Sequence, residues 1–283
     1  MKINKILENE IQKVSKDNSV AVLLSGGVDS LSIAFALHNL GKQVNAYSFK
    51  LDNCKNYDSD KAEEVCDIFN WNYKCKVVPT NNIHKDFFTL AKDFDCKKKT
   101  HFTCVYPFMY LYPEIYEQEV YSGWGADGYY GISKKAILNY KYPKSKFDEF
   151  RDNYFLPENS AGYLWHKKVA DKHNKKFYAP YLTEAVKKFF YDKDWDELNK
   201  PFQKYHVVNS YNEFKRFKFK KHLNLQIGSG INDLFETLLD NSDINIQFKY
   251  KSVSGFCQYW GKQYIHNQLN LLQCFNDKGE KNG

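Results

Sequence analysis

No two of the seven cysteines stand in a C-x-x-C pair, which removes the usual spacing for a zinc knuckle or a thioredoxin-type redox centre. Their number is odd, no secretory leader opens the chain, and no apolar run approaches 18 residues. These absences predict free thiols in a reducing cytoplasm and no membrane span. The histidines form no H-E-x-x-H pair and no G-x-S-x-G elbow occurs, so neither a zincin nor a serine hydrolase is signalled. His101, His166, His173, His206 and His222 read as structural or surface groups, with His101 the one placed to reach a substrate. There is no internal repeat, long linker or low-complexity tract.

What is present is bulk and positive charge. Hydrophobic residues make up 43% of 283, enough for one large α/β domain or a core with an appendage. The net charge of +7, from 41 basic and 34 acidic residues, suits a polyanionic partner, and nucleotide phosphates serve as well as nucleic acid. Nucleic acid is the less favoured of the two. Lysine runs such as Lys97 to Lys99 read as solvated faces. The alternation of Phe with Lys and Arg over 214–219 reads as a half-buried edge more readily than a base-stacking surface.

Short apolar runs alternate with helical patterns through the first half. Residues 3–17 carry Ile3, Ile6, Leu7, Ile11 and Val14 on one helical face. Strands are predicted at 19–24, 44–49, 73–78 and 119–122, and helices at 29–40, 58–70, 83–94 and 105–118. Strand–helix alternation with short connections predicts an α/β fold with a doubly wound parallel sheet. Beyond about residue 140 helical segments dominate, at 161–173, 183–191, 231–239 and 256–275. The expected division is a nucleotide-binding core over 1–140 and a mostly helical cap over 141–283, with a frayed tail from 276.

The first strand ends in Ser25-Gly26-Gly27-Val28-Asp29-Ser30. Glycines let a backbone approach phosphate oxygens closely, and the loop amides and helix N-terminus supply donors and positive potential. Ser25 and Ser30 add hydroxyls, and an aspartate beside a phosphate site is useful when it holds Mg²⁺. The spacing is neither G-x-x-x-x-G-K-[ST] nor G-x-G-x-x-G. It resembles the S-G-G-x-D-S loop of the PP-loop ATP pyrophosphatases, which split ATP into AMP and pyrophosphate and have an adenine nucleotide α-hydrolase-like fold.

Further along, Ser122-Gly123-Trp124-Gly125-Ala126-Asp127-Gly128-Tyr129-Tyr130-Gly131 resembles the S-G-E-G-[AS]-D-E-L-F-G-G element of asparagine synthetases and β-lactam synthetases. Residues 179–184 are similar to that branch's R-x-P-F-L-D segment. Lys200-Pro201-Phe202-Gln203-Lys204 is similar to its K-x-x-L-R, and residues 220–230 to a basic, glycine-bearing loop. The resemblance covers roughly residues 18–240. It implies a nucleotide held by Leu24, Ser25, Gly26, Gly27, Asp29, Ser30, Phe49, Ser122 and Gly123. It further implies Mg²⁺ on Asp29 and Asp127, and Lys200 as the lysine facing the pyrophosphate, with Lys204 where the family has arginine.

The expected activity is therefore an ATP-dependent ligase or amidotransferase. It would adenylate a small-molecule carboxylate and pass the acyl group to ammonia or an amine. Two rivals stand beside it: a PP-loop enzyme modifying a nucleobase or tRNA, and a degenerate ATP-binding interaction module. Three departures from the family pattern matter. The glutaminase domain with its N-terminal cysteine is missing, so a separate glutaminase partner is one source of ammonia. Trp124 replaces the first glutamate of the motif, which in the family helps deprotonate the nitrogen nucleophile, and Gly128 replaces the acid after the aspartate. Glu158 and Glu184 are the candidate substitutes for the lost base.

Overall fold

A computed structural model describes residues 1–52, 54, 57–156, 159, 162–218, 228–240 and 251–267. Its centre is a five-stranded sheet in the order β3-β2-β1-β4-β5, every pair parallel. The strands are β1 (Ser19–Leu23), β2 (Gln43–Leu51), β3 (Asn72–Val78), β4 (Glu119–Tyr121) and β5 (Lys176–Tyr178). β1 is in the middle, with Val22 facing Ala46 of β2 on one side and Tyr121 of β4 on the other.

The β1 sequence explains that position. Val20, Val22 and Leu24 point into one core, and Ala21 and Leu23 into the core on the opposite face. A strand covered on both sides cannot alternate apolar with polar residues, and so it reads as an uninterrupted apolar run. Helices cover both faces. α1 (Ile3–Val14), α2 (Val28–Asn39) and α3 (Tyr57–Phe69) contribute to the first core, and α4 (Ile83–Phe94) and α5 (Lys99–Val105) to the second. α1 buries Ile3, Ile6, Leu7 and Ile11, and each such side chain contributes about 1.5–3 kcal/mol. This is the doubly wound α/β architecture expected from the alternation.

Several segments depart from the expected outline. The helix anticipated over 105–118 breaks into α6 (Phe108–Leu111) and a 3₁₀ turn at Tyr112–Glu114. Pro107 and Pro113 lack the N–H that a continuous helix needs. Beyond residue 140 the chain is not purely helical, because β5 extends the sheet by pairing with β4. Three residues are too few to show a strand period. α9 (Lys144–Phe155) lies outside the expected helices, although Phe147, Phe150, Tyr154 and Phe155 stand at helical spacing along it. It follows α7 (Ala126–Tyr130) and α8 (Lys134–Asn139) and precedes α10 (Tyr163–Lys172).

After β5 come α11 (Glu184–Tyr191), α12 (Trp195–Asn199) and α13 (Tyr205–Val208), with later helices at Ile231–Glu236 and Val253–Asn267. The expected tail from 276, Lys220 to His222, the end of the last helix and Glu158 all lie outside the described residues. Among the described residues, no helix is long and apolar enough to cross a membrane.

Candidate functional site

The chain winds from β1 to β2 and β3 in one direction, then returns to place β4 on the other side of β1. Such a reversal opens a crevice at the carboxyl end of the central strand, where open α/β sheets bind ligands. A cavity of about 260 Å³ lies there. Leu24, Ser25, Asp29, Ser30, Phe49, Ser122, Gly123 and Asp127 all line it.

The serine–glycine loop is held by its own hydrogen bonds. Gly26 has a left-handed φ of +67°, and Gly27 caps the start of α2. The Ser25 amide donates to Ser30 Oγ at 3.2 Å, and Ser30 Oγ donates to the Gly27 carbonyl at 3.2 Å. The two hydroxyls are 3.2 Å apart. The loop is thus pinned by its own serines at the positive end of a twelve-residue helix. On its α3 side the loop lies against Lys61, whose ammonium pairs with Asp58 Oδ1 at 2.7 Å.

The second turn docks directly onto the first. A Cβ at Gly123 would fall 2.5 Å from the Asp29 carbonyl carbon and 2.7 Å from its oxygen, so only glycine allows β4 to deliver its turn against the first turn of α2. That contact brings Asp127, in the first turn of α7, beside Asp29 in the first turn of α2.

A lysine joins them. Lys204 Nζ donates to Asp29 Oδ2 at 2.5 Å and to Asp127 Oδ1 at 2.6 Å, and lies 5.8 Å from the centre of the Tyr130 ring. The Lys204 side chain is 9% exposed. Burial works against its charge, but Asp29 and Asp127 outweigh burial and lift its pKa above the ordinary lysine value. Its backbone is left-handed, with φ of +63°, an uncommon and costly conformation for a residue with a side chain.

Lys200, expected to face the pyrophosphate, is elsewhere. Its side chain is 65% exposed and pairs with Asp196 at 2.7 Å, and it is not among the residues lining the cavity. The α12 turn sends Lys200 to solvent, and the turn after it sends Lys204 inward. Of the other candidates, Gly26 and Gly27 shape the loop without lining the cavity. His101 is buried against the Trp165 ring at 3.3 Å between centroids. Burial, with Lys98 beside it, lowers its pKa to about 4, and it too is outside the lining.

Sequence reasoning missed several contributors to the cavity, among them Asp58 at the start of α3, Cys104, Phe108, Leu111, Tyr154 and Ser229. Ser229 belongs to the glycine-bearing loop that the sequence did single out. Trp124 also lines the cavity. Behind it is His166, with ring centroids 5.3 Å apart. His166 is fully buried, shares a 2.8 Å hydrogen bond with the Tyr112 hydroxyl, and burial holds its pKa down at about 3.

Asp29 and Asp127 are hard oxygen donors converging on one point, and Mg²⁺ characteristically takes one or two carboxylates and fills its remaining positions with substrate phosphates and water. No group of three or more Asp, Glu, His or Cys able to enclose a metal occurs among the described residues. The donor set therefore fits a magnesium ion that arrives with a nucleotide, and does not fit an all-protein metal cage.

A sequence model of the family described as asparagine synthase matches residues 2–226. No curated protein matches the chain.

Proposed function

The chain belongs to the asparagine synthase family, and from that premise we propose that it is an ATP-dependent ligase that activates a carboxylate as an acyl-adenylate and transfers the acyl group to ammonia or an amine. ATP-dependent ligase or amidotransferase chemistry is the family's; the adenylate, its acceptor and the nitrogen donor are our reading. The observation that carries it is the meeting of the buried Lys204 ammonium with Asp29 and Asp127, the two carboxylates that line the cavity beside the serine–glycine loop.

In this reading the loop amides and the Ser25 and Ser30 hydroxyls hold the triphosphate at the start of α2. Leu24 and Phe49 border the nucleotide on the β1–β2 side. A carboxylate oxygen of the acceptor attacks the α-phosphorus, and the bond to the bridging oxygen breaks with its electron pair leaving on pyrophosphate. Negative charge grows on that leaving group, and the Lys204 ammonium is the buried cation able to meet it. Lys204 takes the role that the sequence assigns to Lys200. Asp29 and Asp127 hold Lys204 in place, and would be the residues to hold Mg²⁺. When bound, Mg²⁺ supplies charge neutralisation on the phosphates. The nitrogen nucleophile then attacks the acyl carbon, AMP departs, and the surplus proton on nitrogen passes to water or the AMP phosphate.

The test is to incubate the protein with ATP, Mg²⁺, ammonium and a panel of carboxylic acids, following AMP and pyrophosphate. Release that depends on an acid and disappears in Asp29→Ala and Lys204→Ala, but persists in Lys200→Ala, is the expected result. ATP bound with no AMP formed under any acid would sink the ligase and leave a nucleotide-binding module.

A further inference from the structure

The two positions at which the chain departs from the family's acidic motif, Trp124 and Gly128, act together on one wall of the cavity. Trp124 places an indole on it. Gly128 does not line the cavity but decides which ring does. A Cβ there would lie 2.1 Å from Tyr154 Cδ1 and 2.2 Å from its Cε1, inside any tolerable contact, so the Tyr154 ring occupies the space an acidic side chain would need. Tyr154 lines the cavity too, carried there by α9.

Phe108, Leu111 and Cys104 complete this side of the cavity. Phe108 meets Phe49 edge-on at 5.6 Å between ring centres, making a continuous apolar surface from the β2 end to α6. Trp124 is backed by the His166 ring and cannot retreat. All the charged residues lining the cavity, among the described residues, are carboxylates: Asp29, Asp58 and Asp127. Buried ammoniums already serve all three: Lys204 pairs with Asp29 and Asp127, and Lys61 with Asp58. A second carboxylate on the acceptor would meet no cation among the described lining residues, whereas a planar apolar body finds aromatic faces and edges to pack on.

Resting on the adenylation reading, we propose that the acceptor is a monocarboxylic acid with an aromatic body, its ring packed against Trp124 and Tyr154 and its carboxylate turned toward the phosphate loop. The loss of the two acids has reshaped the acceptor side of the site for a different class of substrate, and it leaves the phosphate-handling side intact.

Acid-dependent ATP–pyrophosphate exchange separates this inference from the reading beneath it. With wild-type protein, 3-phenylpropanoate should stimulate exchange at least about tenfold more than aspartate or glutamate, a factor equal to roughly 1.4 kcal/mol of selectivity. Trp124→Ala and Gly128→Ala should each raise the KM for 3-phenylpropanoate by about tenfold, while the affinity for ATP, measured by direct binding on the same preparations, stays within about twofold. Retained ATP binding also shows that the variants are folded. Exchange driven by aspartate as well as or better than by the aromatic acid overturns the inference and leaves adenylation standing. Equal losses of ATP affinity and acid KM in Trp124→Ala overturn it as well, because the indole would then serve the nucleotide. No exchange with any acid, with ATP still bound, overturns the adenylation reading and this inference with it.

Discussion

Lys204 adopts a left-handed backbone and has its ammonium shared between two carboxylates. Conformational cost at a residue of this kind persists where surrounding contacts over-determine it. Lys204→Ala should cut pyrophosphate release at least about 100-fold, the usual scale for removing a group that meets transition-state charge; Lys200→Ala should change the rate less than about twofold. Gly123 offers a second residue-scale test. In Gly123→Ala the new methyl must push on the Asp29 backbone, so the urea midpoint should fall by about 1–3 kcal/mol of stability, and ATP affinity should fall with it. The serine–glycine loop and the two aspartates were legible in the sequence because their chemistry depends on adjacent residues. Which of two lysines four positions apart reaches inward was not legible. That choice is made by one backbone turn and by Asp196, which offers Lys200 a partner at the surface.

Among the elements, α9 buries only Phe147 and Arg151 and so has an unusual anchor. Arg151 is completely buried. Its guanidinium donates to the carbonyls of Tyr129, Phe190 and Lys193 and pairs with Asp148 at 3.0 Å. Tyr129 is near the end of α7 and Phe190 near the end of α11, where helix carbonyls lack intrahelical donors. Arg151 thus ties α7, α9 and α11 together and fixes the helix that carries Tyr154. Arg151→Met should lower stability by about 3–5 kcal/mol through the orphaned carbonyls and Asp148, read as a drop in the urea midpoint. Phe147, Phe150, Tyr154 and Phe155 do keep a helical period along it, and the charge at 151 stands within that stripe. The long strands and α1, α2 and α4 were readable because burial imposes a period or a run on them. β5 was not, since its three residues owe their strand conformation to β4 alongside.

For the whole molecule, buried neutral histidine sets an acid limit. His166 titrates near 6.5 when unfolded and at about 3 when folded, held there by burial. Between those values the unfolded chain binds more protons, so stability is fully present above about pH 6.5 and is lost as pH falls toward 3, by up to ~1.4 kcal/mol per pH unit. His101, lowered to about 4, acts in the same direction. The urea midpoint should therefore be lower at pH 5 than at pH 7, and His166→Phe should flatten that dependence. Equal midpoints for the wild-type protein at both values would contradict the burial of these rings.

The three charges that meet beside the serine–glycine loop come from positions 29, 127 and 204, borne on turns after β1 and β4 and on a segment that follows β5. No contiguous fragment of the chain short of that span holds all three. During synthesis the contact of Lys204 with Asp29 and Asp127 can therefore form only after residue 204 has cleared the ribosome exit. Until then a nascent chain would lack the ammonium that our reading sets against the leaving pyrophosphate, so the proposed adenylation waits on residues beyond the fifth strand.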